Sequence, residues 1–122
     1  MKINLAELGT LFGGLRAAVT VTDETYHIVF MNDLASEHYA TRGGAALIGT
    51  NLLDCHNTRS QAQLREMYAR YHGGDLTPTR HHVDEGDGRG KSTVFIPLMV
   101  KGKFRGVAEM IWSECSELVF EK

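Results

Sequence analysis

Cysteine, proline and long apolar runs are all scarce in this sequence. Only two cysteines, Cys55 and Cys115, and two prolines occur in 122 residues. Two distant thiols without a secretion signal predict a cytoplasmic protein with no disulfide framework. The first apolar stretch contains Glu7 and Arg16, so we interpret it as part of the mature protein and not as a signal peptide. No apolar run approaches the length that crosses a membrane.

Clustered charge is also missing. The chain carries 13 Lys and Arg against 15 Asp and Glu, a formal net charge of −2, and it has no block of five like charges. The electrostatic case for a nucleic-acid partner is therefore weak. What the chain does have is 43% hydrophobic residues, in a length that suits one ordinary core. These features predict a single soluble domain with no nucleic-acid or membrane partner.

The first third of the chain predicts a helix, a hairpin and a second helix. Apolar residues at helical spacing form a short amphipathic helix, and they are Leu5, Leu8, Leu11, Phe12 and Leu15. Alternating apolar and polar residues over 19–31 then indicate a β-hairpin. Asn32 or Asp33 is placed to cap the next helix, which the Gly43-Gly44 pair ends.

A long helix and three strands account for most of the remaining chain. The helix covers about residues 59–72, and an apolar stripe runs along it at spacings of three and four, formed by Leu64, Met67, Tyr68 and Tyr71. A strand at 77–83 is followed by a glycine-rich hairpin loop at 84–90 and by two longer strands at 92–100 and 104–112. This order predicts an α+β fold, with an antiparallel sheet covered on one face by helices.

No motif for catalysis or metal binding has the spacing that its chemistry requires. In GDGRGKST, Gly86 lies one residue too close to Gly90 for a phosphate-binding loop, and a strand follows where a helix is needed. His81 and His82 are neighbours and would face opposite sides of a strand, so no metal site is predicted. No Ser-His-Asp order supports a catalytic triad. The sequence therefore predicts a protein that is not an enzyme.

Two interpretations remain open for Cys55 and His56, which lie just before the long helix in DCHNTRSQ. Thr58 and Ser60 each have Gln three positions later, so either can begin the helix with a capping box, and Cys55 is then a small buried core residue. In the alternative, Cys55 and His56 form a cofactor or redox position at the helix N-terminus.

The order of the elements resembles that of a PAS sensor domain. The opening hairpin leads into Asn-x-x-Ala at Asn32 and Ala35, and Leu-Ile-Gly at 47–49 precedes a short apolar turn. The segment GKFRGVAEMIW resembles the last strand of the family, with Gly106 at its usual glycine. CHNTRS is similar to a PAS branch with Cys-His-Pro-Pro before the long helix. The resemblance implies a five-stranded antiparallel sheet with the long helix over a pocket.

The resemblance divides the chain into an N-terminal amphipathic helix at 1–16, a PAS-like domain at 17–113 and a short tail at 114–122. It implies sensing, dimerisation or binding of a signalling partner. A small ligand would then contact the helix stripe and the sheet, through Leu64, Met67, Tyr68, Tyr71, Ile96 and Leu98. The strand VFIPLMV is apolar on both faces, so either face suits the pocket and the other needs a cover. The N-terminal helix is a candidate cover, and we expect a homodimer through it.

Three PAS subclasses with known chromophores or heme each lack a key residue here. The resemblance places Gln63 where heme-binding sensors carry the iron-ligating His, and Leu52 where flavin-binding light sensors carry the reactive Cys. Met31 and Ala35 stand where photoactive yellow protein has its hydrogen-bonding Tyr and Glu. None of these groups is expected, and the cofactor is unknown. The expected function is a non-catalytic sensing or interaction module. The alternative is a cofactor-bearing or redox sensor, or a small enzyme, that uses Cys55 and His56.

Overall fold

Five strands form one antiparallel sheet in the computed structural model, which describes residues 4–83, 91–113 and 118–121. The strands are β1 (Ala18–Asp23), β2 (Ile28–Met31), β3 (Thr79–Val83), β4 (Lys91–Val100) and β5 (Lys103–Trp112), in the spatial order β2-β1-β5-β4-β3. An N-terminal helix, α1 (Leu5–Gly13), precedes the sheet. Two further helices, α2 (Asp33–His38) and α3 (Thr58–His72), lie between β2 and β3 in the chain. The predicted α+β fold is confirmed.

Three short 3-10 helices fill the connection between α2 and α3, at Ala40–Arg42, Gly44–Leu47 and Leu52–Cys55. The glycine-rich loop predicted at 84–90 lies outside the described residues, and so does Cys115. Within the three described ranges, no helix is both long enough and apolar enough to cross a bilayer.

Asn32 begins α2 and also fixes the start of β1. Its side-chain oxygen accepts hydrogen bonds from the backbone N–H of Ala35 at 3.0 Å and of Val19 at 2.9 Å. Its Nδ2 donates to the carbonyl oxygen of Ala17 at 2.7 Å. Of the two predicted caps, Asn32 is therefore the one in use. The Asn32 side chain is buried, and backbone groups satisfy both its donor and its acceptor. The same bonds satisfy backbone groups that would otherwise lack partners.

The predicted caps of α3 are wrong. Asn57 caps this helix, and its side-chain oxygen accepts from the backbone N–H of Ser60 at 2.9 Å. Thr58 is already the first helical residue. Gln61 does not close a capping box, because its Nε2 donates to the carbonyl oxygens of Leu53 at 2.8 Å and His56 at 2.9 Å. The predicted apolar stripe of α3 is buried along its whole length.

The helices cover the sheet face that carries Thr20, Thr22, Phe95, Val107 and Glu109. The strand register sets this face, since Thr20 lies opposite Glu109 and Thr22 opposite Val107 between β1 and β5, and Phe95 lies opposite Glu109 between β4 and β5. We call it the inner face.

Side chains on the other side of the sheet alternate with those of the inner face. This outer face is mostly apolar and half-buried, and it carries Val19, Val21, Val94, Ile96, Leu98 and Met110. Helix α1 has no buried residue, so within a single chain its apolar side chains are not covered by the sheet.

Candidate functional site

A cavity of about 60 Å³ lies against the inner face of the sheet. Its walls are mainly apolar and come from β1 and β2, the 3-10 segments, β4 and β5, through Ile28, Met31, Leu47, Leu52, Phe95 and Val107. Because a buried water occupies on the order of 10–15 Å³ on such a scale, there is room for a few waters or for a compact small molecule. A mostly apolar cavity with a few polar groups is the usual form of a small-molecule site.

Polar side chains of the cavity come from strands β1 and β5, from the end of α2 and from α3. Tyr39, at the end of α2, donates its hydroxyl proton to Oε1 of Glu109 at 2.6 Å. Tyr68 on α3 shares a hydrogen bond with the Thr22 hydroxyl. The Thr20 hydroxyl is buried and has no hydrogen-bond partner among the described residues. The carboxyl group of Glu109 and the hydroxyl group of Thr20 therefore lie side by side on the inner face. We call this part of the cavity wall its floor.

The electrostatics of the cavity are governed by burial. Burial raises the pKa of the Glu109 carboxyl, and the hydrogen bond from Tyr39 and the proximity of His56 offset only part of this rise. Burial and the neighbouring Glu109 also raise the pKa of Tyr39. The pKa of Tyr68 rises to about 12, mainly through burial. Both tyrosines therefore keep their protons at neutral pH, and Tyr39 donates its proton to Glu109.

Cys55 and His56 both line the cavity. Cys55 is exposed, so its interpretation as a buried core residue is wrong. The 3-10 helix Leu52–Cys55 turns Leu53 into the core and leaves Cys55 outside. His56 Nδ1 lies 2.8 Å from the carbonyl oxygen of Leu52 and therefore carries the proton in this contact. A redox or cofactor role for the pair stays a prediction.

The structure separates the six predicted ligand residues. Tyr68 lines the cavity. Leu64, Met67 and Tyr71 pack in the main core cluster instead, and the Tyr71 hydroxyl lies 2.7 Å from Thr79 Oγ1. Helical periodicity identifies buried side chains, but it does not distinguish a solid core from a cavity wall. A ligand-binding role for these three residues stays a prediction.

Ile96 and Leu98 lie on the outer face of the sheet. They alternate along β4 with Phe95, whose side chain lines the cavity from the inner face. The sequence left open which face of the sheet lines the pocket. The cavity lies on the inner face, opposite to Ile96 and Leu98. Their assignment to the pocket is corrected, because a strand that is apolar on both faces gives no directional signal.

Sequence reasoning missed Thr20, Tyr39, Arg42 and Glu109, which all line the cavity. One signal was present for Glu109, a single carboxylate inside the apolar strand segment VAEMI. Thr20 was identified only as a member of an alternating strand. Its hydroxyl faces the helices because the register places β1 threonines, and not valines, on the inner face.

Comparisons with known proteins agree with this fold. The structure is similar to the C-terminal domain of a protein from Streptococcus mutans, with a TM-score of 0.74, 14% identity, and coverage of 91% of this chain and 85% of that one. It is similar to the PAS domain of BvgS from Bordetella pertussis, with a TM-score of 0.64, 16% identity, and coverage of 92% and 87%.

A sensory box sensor histidine kinase from Vibrio cholerae is also similar, with a TM-score of 0.58, 16% identity, and coverage of 90% of each chain. No curated protein matches the sequence. The family model of the PAS fold matches residues 12–113. The chain therefore belongs to the PAS fold family.

Proposed function

We propose that this PAS domain is a non-catalytic sensory module that binds a compact small molecule in the cavity of the inner face. The observation that carries the proposal is the cavity itself, which combines apolar walls with a few polar groups on the floor. Burial of an apolar body supplies affinity, and the polar groups select the ligand. The similarity to solved sensor kinase domains supports a signalling role.

Filling the cavity with a larger side chain tests this proposal. Leu52 is half-buried in the cavity wall, so Leu52→Trp should occupy the space that a ligand needs. Leu76→Trp is the matched control, because Leu76 is exposed in the loop after α3 and lies outside the cavity wall. Thermal unfolding of the three proteins is measured with and without a small-molecule extract of cells. Ligand at a hundred times its dissociation constant stabilises the folded state by about 2.7 kcal/mol.

We expect the extract to stabilise the wild type and Leu76→Trp and to leave Leu52→Trp unshifted. Mass analysis of small molecules released from the denatured protein then identifies the ligand. A wild-type unfolding midpoint that no extract shifts, with no co-purified molecule, contradicts ligand binding and leaves protein contacts as the route of sensing.

We also propose that the domain forms a homodimer through α1. The helix exposes Leu5, Leu8, Leu11 and Phe12, which the helical spacing places along one side. The outer face of the sheet offers a second apolar surface of the same chain. In a dimer, the α1 helices of the two copies can pack against each other and also against the outer faces of the sheets. This arrangement covers the apolar side of α1 and the outer face together. A downstream signalling partner would then read the state of the dimer.

A further inference from the structure

Two polar groups on the cavity floor can form hydrogen bonds with a ligand. The Thr20 hydroxyl is 5% exposed and has no partner among the described residues. Glu109 accepts from Tyr39 through Oε1, and its second carboxylate oxygen adds further acceptor capacity at the cavity. A buried hydroxyl without a partner, such as that of Thr20, is uncommon in protein interiors and therefore indicates a missing hydrogen-bond partner.

The two groups are neighbours. Thr20 and Glu109 occupy directly opposite positions of the antiparallel pair formed by β1 and β5, on the inner face. Side chains in such a pair have Cβ atoms about 4.5–5.5 Å apart. A single ligand group can therefore reach both the Glu109 carboxylate and the Thr20 hydroxyl. An ammonium or amidinium group suits this pair, because all of its N–H bonds are donors and both oxygens can accept.

We infer that the cavity recognises a compact organic cation, an amine or amidine on an apolar body of about one ring, through Glu109 and Thr20. The inference rests on the proposed ligand-binding function and names its ligand class. The cationic group would form a charge-assisted hydrogen bond to Oε2 of Glu109 and a second bond to the Thr20 hydroxyl. Apolar walls such as Ile28 and Val107 would enclose the body of the ligand.

The charge distribution of the cavity favours a cation over an anion. Glu109 is the one carboxylate among the described lining residues. Of the positive groups, Arg42 is exposed, so water screens its charge, and His56 is held by the Leu52 carbonyl. A carboxylate ligand on the floor would instead face Glu109 at close range, which is repulsive.

Three probes of one shape test the inference on the intact chain. Benzylamine, benzyl alcohol and benzoate share the ring and differ in the charge of the attached group. Their dissociation constants are measured by NMR titration, following resonances of the cavity residues. We expect benzylamine to bind at least about tenfold more tightly than benzyl alcohol, which corresponds to one charge-assisted hydrogen bond, and benzoate to bind most weakly.

Two substitutions assign the effect to the floor. Glu109→Gln keeps the acceptor for Tyr39 and replaces the second carboxylate oxygen with a donor, so it should bring benzylamine to the affinity of benzyl alcohol. Thr20→Val should weaken benzylamine by about threefold to tenfold. Glu66→Gln on the exposed face of α3 is the matched control and should change neither affinity. If Glu109→Gln does not fold, the affinities of the three probes for the wild type and for Thr20→Val still test the inference.

Acidity supplies a further readout. The titratable or charged groups that face Glu109 in the cavity are Tyr39, Arg42, Cys55, His56 and Tyr68. Protonation of Glu109 removes the acceptor, so benzylamine should bind more weakly as the pH falls, while benzyl alcohol should change little. The same pH series on the Glu109→Gln variant isolates the part of the pH dependence that comes from Glu109.

The outcomes distinguish the inference from the function on which it rests. Equal binding of benzylamine and benzyl alcohol, unchanged in Glu109→Gln, overturns the inference and leaves the ligand-binding proposal standing. Unchanged benzylamine affinity in Thr20→Val overturns the part of the inference that assigns Thr20 to the binding site. If no probe perturbs the cavity resonances at any concentration, both the inference and small-molecule binding at this cavity are contradicted.

Discussion

Glu109 places a carboxyl group where most of its neighbours on the inner face are apolar. Its net effect on folding follows from the direction of its pKa, which burial raises. Between the unfolded and the folded pKa, the folded protein binds more protons than the unfolded chain, so stability falls as the pH rises through this window. The buried carboxyl therefore makes the domain less stable at neutral pH than it is below the ordinary glutamate pKa. Functional residues commonly carry such a cost.

The first prediction is that Glu109→Gln stabilises the domain at neutral pH. Glutamine keeps the acceptor for the Tyr39 hydroxyl and removes the charge that burial disfavours. The difference between variant and wild type should be greatest above the folded pKa of Glu109 and should shrink as the pH falls from there to the ordinary glutamate pKa. Thermal unfolding of both proteins across pH 4 to 8 measures it. A variant that is less stable than the wild type at every pH contradicts this account.

At this scale the sequence identified several residues and misjudged their surroundings. Tyr68 follows from helical periodicity, because one face of a helix repeats regularly. Glu109 and Thr20 meet only through pairing between β1 and β5, which are about 80 residues apart in the sequence. Cys55 was weighed as a core residue on the habits of free cysteine, yet the local 3-10 turn leaves it exposed. Periodicity carries local information, and sites assembled from distant strands need the register.

Two asparagines show how the starts of the helices differ. Asn57 caps α3 through one side-chain bond, to the backbone N–H of Ser60, and is exposed. Asn32 caps α2 and in addition bonds the backbone of Ala17 and Val19, at the start of β1. It is 2% exposed, so water cannot replace these bonds. Asn57 therefore only begins a helix, whereas Asn32 begins a helix and also ties it to the sheet.

The second prediction compares alanine at these two positions. Asn57→Ala should cost about 1 kcal/mol of unfolding free energy, the usual value of an N-cap. Asn32→Ala should cost about 3 kcal/mol, because it also leaves buried backbone groups of Ala17 and Val19 without partners. Urea unfolding of both variants, with a common slope, gives the two values. Equal losses would mean that the contacts of Asn32 with β1 contribute nothing to stability.

The boundaries of the helices and strands could be predicted to within a few residues, but the contacts between these elements could not. The Asn-x-x-Ala signal correctly located the start of α2, since Asn32 is its cap. The start of α3 was predicted one residue late because Thr58, Ser60 and Asn57 are all acceptable caps. Gly106 was noted only by resemblance. The structure gives its physical reason, because a Cβ atom there would lie 2.1 Å from the carbonyl oxygen of Thr22.

The whole molecule has more apolar surface than its own packing covers. Leu5 is 87% exposed on α1, and the outer face of the sheet is only half-buried. Exposed apolar surface of this extent usually marks an interface. The fold class and the order of the elements could be predicted from the sequence, because hydrophobic periodicity fixes both. The position of α1 could not, because its partner surface is not encoded in its own pattern.

The last prediction is that one charge on the apolar side of α1 dissociates the proposed homodimer. Leu8 is 41% exposed in the single chain, so Leu8→Glu should leave the fold intact while placing a carboxylate in the proposed interface. Thr10→Glu is the matched control, because Thr10 lies on roughly the opposite side of the helix and the added charge is the same. Light scattering at one protein concentration should give about two chains for the wild type and Thr10→Glu, and one for Leu8→Glu. Deleting residues 1–15 should also give one chain.

A wild-type monomer at high concentration excludes the dimer. If both Glu variants dissociate alike, the effect comes from net charge and not from an apolar contact through α1.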